Sequence, residues 1–318
     1  MKKMIHTVLG AVEPEQLGFT QCHEHILLTR GKSREVNPVL CIDDPEKSRR
    51  ETEAYREAGG SAIVDAQPGG CNRDGEGLSQ ISRQTGVHII ASTGFHKLLF
   101  YPEEHWIRSA EESTLAEVFS SELTEGMYEE PDQELTSRRQ EAKAGILKTA
   151  LDSGNLEGRY QTLFQAAADA QKDTGAPMMV HIEAGSSPVQ LLEFLQKEKV
   201  SAEKIYFCHM DRACCEEEIF WKVLDAGVTL EFDTIGRFKY HSDQAELELI
   251  RKILDRGYED QLLCSLDTTR ARLKAYDPDG VGLTYILKEF LPAMKQAGVT
   301  EQQGRKIFVE NPCRILAW

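Results

Sequence analysis

Two histidines one residue apart, His23 and His25, follow a short apolar segment at 18–22. In an extended strand, residues two apart point to one face, so both imidazoles can converge on a single cation. Further donors stand at the ends of other apolar runs: Lys148, His181, His209 and Asp267. Neutral imidazoles with a carboxylate are the borderline ligands that Zn2+, Mn2+ and Co2+ prefer. Singly each has a plain reading. His181 within a strand is by default a hydrogen-bonded core histidine, Asp267 before two threonines a turn or helix cap, and His23 and His25 residues of an exposed strand end. Together, at separate strand ends, they have the makings of a metal site.

The elements that would position them repeat in a simple rhythm. Eight apolar runs, at 18–22, 61–66, 87–93, 145–150, 178–182, 205–208, 228–232 and 262–266, read as strands. Segments of helical character lie between, among them 45–58, 159–174, 188–198, 215–226 and 244–256. In 159–174 the apolar residues Tyr160, Leu163, Phe164, Ala167, Ala168 and Ala170 track one helical face. Gly59, Gly86, Gly175, Gly227, Gly257 and Gly298 each precede an apolar or β-branched run, as a left-handed helix cap feeding the next strand would. Eightfold alternation of strand and helix predicts an α/β fold, a (β/α)8 TIM barrel as a single domain over 1–318, with a doubly wound sheet as the alternative. In a barrel the C-terminal ends of the strands share one mouth, which is where the candidate ligands fall. One stretch, 101–139, breaks the rhythm. It is rich in Glu and Ser and predicts a helix starting after Pro102 and a helical extension before the strand at 145, a solvated charged element or a cover for the mouth or a subunit contact. No linker or low-complexity tract marks a domain boundary.

Composition removes several function classes. A chain of 318 residues with a formal charge of -15 and a pI near 5.1 repels polyphosphate, which argues against nonspecific binding to nucleic acid or to an anionic membrane surface. The N-terminus lacks an apolar leader and its cleavage pattern, and no apolar run reaches the roughly 20 residues of a membrane span, so a cytoplasmic protein is expected. The eight cysteines are dispersed without a Cys-x-x-Cys pair, which argues against a zinc ribbon or a dithiol redox site. No Gly-x-Gly-x-x-Gly or phosphate loop follows an early strand, which weakens a redox or nucleotide-binding reading.

Lys148, in AGILKTA (144–150), is the residue that turns one metal into two. A lysine among buried apolar neighbours must desolvate its ammonium, which favours the neutral amine. A neutral amine beside two cations can capture CO2, and the resulting carbamate is an anion with two oxygens able to bridge a metal pair. The plain alternative is a lysine that reaches solvent or forms an ion pair.

GFTQCHEH (18–25), AGILKTA (144–150), MVH (179–181), CHMD (208–211), Leu266 with Asp267, and VENPCRIL (309–316) resemble, in order and spacing, the phosphotriesterase family of the amidohydrolase superfamily. The resemblance runs nearly end to end. It implies a binuclear centre with His23, His25 and Asp267 on the more buried metal, His181 and His209 on the more exposed one, and carboxylated Lys148 and a hydroxide bridging both. Zn2+ is the expected metal, with Mn2+ or Co2+ as alternatives. The bridging hydroxide would attack a substrate polarised by the exposed metal, and Asp267 would shuttle the proton to the leaving group, making Asp267 and Lys148 catalytic. The resemblance is also compatible with a homodimer.

Family members divide among phosphotriesters, acyl-homoserine lactones and phosphorylated sugar lactones, and metal ligands do not separate these. Two loops carry cations in an otherwise acidic chain: Arg237 and Lys239 after the seventh strand, and Arg270, Arg272 and Lys274 after the eighth. They point to a small anionic substrate, although solvated surface charge explains Arg272 and Lys274 as well. Lys239 and Arg270 resemble the phosphate-binding pair of the phosphorylated-lactone branch. That branch places a tyrosine three residues beyond the arginine, where this chain has Leu273, and Tyr276 is the substitute on offer. The third-strand loop 94–102 resembles the segment lining the family's substrate pocket, with His96 or Lys97 near the leaving group. His6, His88, His105 and His241 have no motif support and are expected in ordinary structural or surface roles. The leading expectation is a lactonase acting on a small, phosphorylated sugar lactone. Phosphotriesterase or carboxylesterase activity is the alternative, and a barrel that keeps its metals without catalysis is the third reading.

Overall fold

The computed structural model describes residues 2–154, 156–213 and 216–318. Its main element is an eight-stranded parallel sheet, with strands β3 (Thr20–Glu24), β4 (Ala62–Asp65), β5 (His88–Gly94), β6 (Ile146–Leu151), β7 (Met178–Ile182), β8 (Ile205–Cys208), β9 (Thr229–Phe232) and β10 (Leu262–Cys264) adjacent in chain order. All eight fall on the apolar runs, displaced by at most a few residues. Helices over Pro45–Glu57, Gly75–Thr85, Glu112–Thr124, Gly158–Thr174, Pro188–Lys197, Glu217–Asp225 and Asp243–Asp255 cover the outside of the sheet. The helix expected at 215–226 begins at Glu217 among the described residues; Cys214 and Cys215 lie outside them.

The sheet closes into a barrel at the seam between β3 and β10, where side chains take the place of a strand ladder. Ser265 Oγ accepts from the amides of Cys22 and His23 at 2.8 and 3.0 Å, and the Asp267 amide donates to the His23 carbonyl at 3.0 Å. The carboxylate of Glu24, the residue between the two histidines, accepts from the amides of Leu266 and Thr268 at 2.8 and 3.0 Å. These bonds satisfy backbone groups that would otherwise be buried without partners.

Side-chain direction alternates along each strand and separates two cores. Ala62, Val64, Ile90, Ile146, Met179, Tyr206 and Leu263 fill the lumen, while Ile63, Ile89, Leu147, Val180, Phe207 and Leu262 pack outward against the helices. Two steps beyond Ile146 comes Lys148, and two beyond Met179 comes His181, so both continue the inward series at the mouth. Gly94 lies against the same strand: its φ is +106°, and a Cβ there would stand 2.1 Å from the Lys148 carbonyl oxygen. Only glycine fits that approach.

Two features depart from the sequence expectation. A hairpin of β1 (Ile5–Thr7) and β2 (Gly10–Val12) precedes the barrel, and its Ile5 joins Ile315, Leu316 and Ala317 to plug the lumen opposite the mouth. Within 101–139 the expected helix is confined to Glu112–Thr124, and the helical extension before β6 is not formed. The chain reverses there because the buried Glu122 carboxylate accepts from the Tyr128 amide and pairs with Arg73 at 2.6 Å, while Gly126 passes so near Gln140 that a Cβ would meet its carbonyl oxygen at 2.2 Å. The VENPCRIL ending also has a physical role, since Asn311 Nδ2 donates to the carbonyls of Glu259 and Leu262 and pins the start of β10.

Candidate metal centre

His23, His25, Lys148, His181, His209 and Asp267 are all buried at the C-terminal end of the barrel. Local backbone irregularities aim three of them. The pairing of β3 with β4 shifts register between Gln21 and Glu24, so that Cys22 faces the lumen and His23 still reaches the mouth. His209 and Asp267, just past their strands, adopt left-handed φ values of 64° and 49°. Such conformations are costly for non-glycine residues and persist where surrounding structure enforces them, commonly at functional sites.

The six side chains approach one another closely. His209 Nε2 lies 2.7 Å from His181 Nδ1, and Asp267 Oδ1 lies 3.6 Å from His23 Nε2 and 3.5 Å from His25 Nε2. Lys148 Nζ lies 3.4 Å from His23 Nε2 and 3.2 Å from the Met179 sulfur, with no carboxylate in ion-pair contact among the described residues. The opposite ring nitrogens are held by acids. Asp233 accepts from Nδ1 of His23 at 2.9 Å and from Nδ1 of His209 at 2.6 Å, and Glu183 accepts from Nε2 of His181 at 3.2 Å. With protons fixed there, the inward nitrogens of His23, His181 and His209 present lone pairs, the tautomers a metal requires. In that tautomer the His181 and His209 lone pairs face each other across 2.7 Å, an arrangement that calls for an electrophile between them.

Protonation favours the same state. Burial, with Lys148 nearby, lowers the His23 pKa to about 4, and burial lowers that of His181 to about 4 despite its bond to Glu183, so both rings are neutral near pH 7. Burial alone would raise Asp233, yet His209 and His23 hold it far below the usual carboxylate range. Asp267 is likewise buried and is held well below that range by Arg237 and its histidine neighbours. Arg237 donates to Asp267 Oδ2 at 2.8 Å, and Arg212 stands 3.7 Å from the same oxygen.

These residues open onto a cavity of about 590 Å³ lined by His23, His25, His96, Lys97, Arg212 and Lys239 among others. The cations on its wall are unequally engaged. Arg237 is bound to Asp267, Lys97 pairs with Glu183 at 2.5 Å, and Arg272 donates to the carbonyls of Ile235 and Gly236. Arg212 has no hydrogen-bonded side-chain partner among the described residues, and it and Lys239 flank the Tyr240 ring at 4.9 and 4.7 Å. His96 lines the cavity with its ring 5.3 Å from that of His181, and its Nδ1 accepts from the Lys97 amide.

The expected pairing of Lys239 with Arg270 and Tyr276 is not what the fold builds. The loop after β10 turns through a short 3-10 helix, Arg270–Arg272, which directs Arg270 and Arg272 apart. Arg270 Nη1 donates to the Cys41 carbonyl at 2.8 Å and lies 3.2 Å from Asp43, while the Tyr276 hydroxyl bonds to Ser48 and Asp44. Both line an adjoining cavity that shares Val39 and Ala271 with the cavity at the barrel mouth. Asp233, Glu183 and Arg212 are contributors that the sequence reading missed. Asp233 was within reach, because an acid directly after the seventh strand stands at the same mouth as the ligands. Arg212 follows CHMD and carried no spacing signal.

The phosphotriesterase family model matches residues 3–316. A phospho-furanose lactonase of Mycoplasmopsis synoviae is 30% identical over 326 residues, covering 99% of this chain and 92% of that protein. An N-acetyltaurine hydrolase of Danio rerio is 27% identical over 359 residues, covering 100% and 99%. The crystal structure of an amidohydrolase from Mycoplasma synoviae superposes with a TM-score of 0.94 at 30% identity, covering 100% of this chain and 92% of that one.

Proposed function

The chain belongs to the phosphotriesterase family, and on that premise we propose that it is a binuclear metal-dependent lactonase that opens a small phosphorylated sugar lactone. The observation that carries the reading is the facing pair His181 Nδ1 and His209 Nε2, 2.7 Å apart with their outer nitrogens bonded to Glu183 and Asp233. Beside them His23, His25 and Asp267 form a second group of three donors. Zn2+ fits this mixture of imidazole and carboxylate. Lys148 completes it as a carbamate. The bare ammonium would be a fully buried cation with no carboxylate in ion-pair contact among the described residues, whereas reaction of the amine with CO2, releasing a proton, would give an anion suited to a pair of cations.

Two bound metal ions would supply a Lewis acid for the lactone carbonyl and acidify a water molecule. The protein's own groups do the rest. Asp233 and Glu183 hold the imidazoles in the ligating tautomer. Asp267, whose Oδ2 is held by Arg237 while its Oδ1 faces His23 and His25, takes the proton from the attacking water and returns it to the departing alkoxide. Arg237 fixes the orientation of Asp267 for that transfer. Arg212 and Lys239 receive the anionic substituent, Arg212 through its guanidinium fork and Lys239 as a point charge. The relatives support an anionic substrate: one is named for a phosphorylated furanose and another for the acyl derivative of taurine, a sulfonate.

A metal-replete preparation assayed by pH indicator on phosphorylated and unphosphorylated aldonolactones, and on a dialkyl aryl phosphotriester, tests the proposal. Phosphorylated lactones should give the highest kcat/KM. A charge-assisted hydrogen bond is worth about 1.5–3 kcal/mol, so Arg212→Ala should reduce the preference for phosphorylated over unphosphorylated lactone by roughly 10- to 150-fold. Arg270→Ala should change that preference far less. Failure to open any lactone, or faster turnover of the phosphotriester, refutes the lactonase reading; an equal effect of Arg212→Ala and Arg270→Ala refutes the assignment of Arg212.

A further inference from the structure

We propose that Asp211, His241 and Glu246 form a third divalent-cation site, outside the catalytic cavity, that clamps the loop after β9 to the end of β8. None of the three lines the 590 Å³ cavity, and their donor atoms lie within 4.8 Å of one another. Asp211 belongs to a single helical turn, Met210–Ala213, directly after His209. Glu246 sits in the first turn of helix Asp243–Asp255, and His241 lies in the loop between.

The hydrogen bonds of these side chains leave one empty focus. Asp211 Oδ2 accepts from the Thr234 amide at 2.6 Å and from the Thr234 hydroxyl, but Asp211 Oδ1 has no hydrogen-bond partner among the described residues. Glu246 is fully buried; its Oε2 lies 3.0 Å from His241 Nε2, and its Oε1 has no hydrogen-bond partner among the described residues. A buried carboxylate oxygen without a donor is expensive, and two in one place, Asp211 Oδ1 and Glu246 Oε1, call for a common positive partner. His241 supplies the third direction. Its Nδ1 lies 3.2 Å from the Ser242 carbonyl oxygen, and an ion bound at Nε2 would displace the proton that Glu246 otherwise holds there. That nitrogen stands 3.0 Å from Glu246 Oε2 and 2.8 Å from Thr234 Oγ1. Two carboxylates, a neutral imidazole and a hydroxyl carry two negative charges, which one divalent ion balances. The mixture of oxygen and imidazole nitrogen selects Zn2+ or Mn2+ over Ca2+ or Mg2+, which prefer oxygen alone. The side chain of His241 is 17% exposed, which gives an ion a way in. A cation held there would tie the segment that presents Arg237, Lys239 and Tyr240 to the one that presents His209.

The experiment counts metal. Zn2+- or Mn2+-loaded enzyme, dialysed and measured by mass spectrometry of its elements, should hold three ions per chain. Glu246→Gln, which removes a charge at constant shape, and His241→Ala, at a partly exposed position, should each hold one fewer. A His23→Gln/His25→Gln double variant should lose the catalytic pair and keep the ion that Glu246→Gln loses, so this site and the catalytic centre are tested separately. If wild type, Glu246→Gln and His241→Ala carry equal metal, the three side chains share protons instead and the proposal is overturned. If Glu246→Gln fails to fold, His241→Ala decides by the same count.

Discussion

Asp233→Asn is the sharpest test of how this centre is organised. One carboxylate accepts from the Nδ1 atoms of two histidines, His23 at 2.9 Å and His209 at 2.6 Å, and also from the His209 amide at 3.1 Å. The two rings belong to different halves of the proposed metal pair, so Asp233 is a positioning residue for both. An asparagine keeps the shape but offers one acceptor oxygen and an NH2 group. One of the two Nδ1–H groups then meets a donor, and that ring relieves the clash by moving its proton to Nε2, the nitrogen that must bind metal. Losing such an outer partner costs about 10- to 100-fold in metal affinity, or roughly 1.4–2.8 kcal/mol, since each tenfold is about 1.4 kcal/mol. Competition against a chelator of known affinity should therefore show one of the two catalytic ions released 10- to 100-fold more readily, with the other nearly unaffected. Saturating metal should recover much of the lost kcat. Affinities for both ions within twofold of wild type would refute the tautomer argument, because the inward lone pairs would then not depend on Asp233.

Other consequences are more direct. Lys148→Met, close in shape and without the amine, should abolish binuclear loading and lower lactone hydrolysis by at least a hundredfold; wild-type metal content and rate in that variant would exclude Lys148 from the centre. Enzyme loaded under 13C-labelled CO2 should show a carbamate carbon resonance that Lys148→Met lacks. For the metal-free protein, His23 and His181 have folded pKa values of about 4 against 6.5 when unperturbed, so the unfolded chain binds more protons below pH 6.5. Their contribution to stability is complete above pH 6.5 and is lost as pH falls toward 4, at about 2.5 kcal/mol per ring by pH 4.5. Urea unfolding of chelator-treated protein at pH 7 and 4.5 should show that loss, and His181→Gln should reduce it; a slope unchanged by the substitution would contradict the assignment.

The sequence was most readable where local pattern and global fold coincide. Each barrel strand buries both faces and several follow a glycine closely, so all eight runs stood out, and the inward series Ile146 to Lys148 and Met179 to His181 follows from alternation alone. It was least readable where a distant contact decides the outcome. Nothing near residues 125–145 shows that Glu122 will be buried against Arg73 and stop the expected helical extension. The hairpin at Ile5–Thr7 is too short to announce itself, and it forms because it plugs the lumen together with residues some 310 positions away. Side-chain direction in a loop is equally hidden: Arg270 and Arg272 are two residues apart, yet a 3-10 turn sends one to Asp43 and the other to the carbonyls of Ile235 and Gly236.

That last separation bears on how substrate choice is built. A cation already neutralised by the protein contributes little to an incoming anion, because its existing partner must first be displaced. Arg237, Arg272 and Lys97 are in that position, each bound to a carboxylate or to carbonyl oxygens. Their work is to fix Asp267, the loop after β9 and Glu183. Arg212 and Lys239 differ in having, among the described residues, the Tyr240 side chain and the distant edge of Asp267 to hold them, with the ring as a platform that orders both and the Tyr240 hydroxyl bonded to Lys239. A substrate anion thus adds bonds there without displacing a carboxylate at hydrogen-bond distance. Replacing Tyr240 by leucine would leave the charges in place and remove the platform, and on this reasoning it should raise KM for phosphorylated lactones severalfold with kcat nearly constant; a fall in kcat at unchanged KM would show that Tyr240 acts on the reacting centre instead.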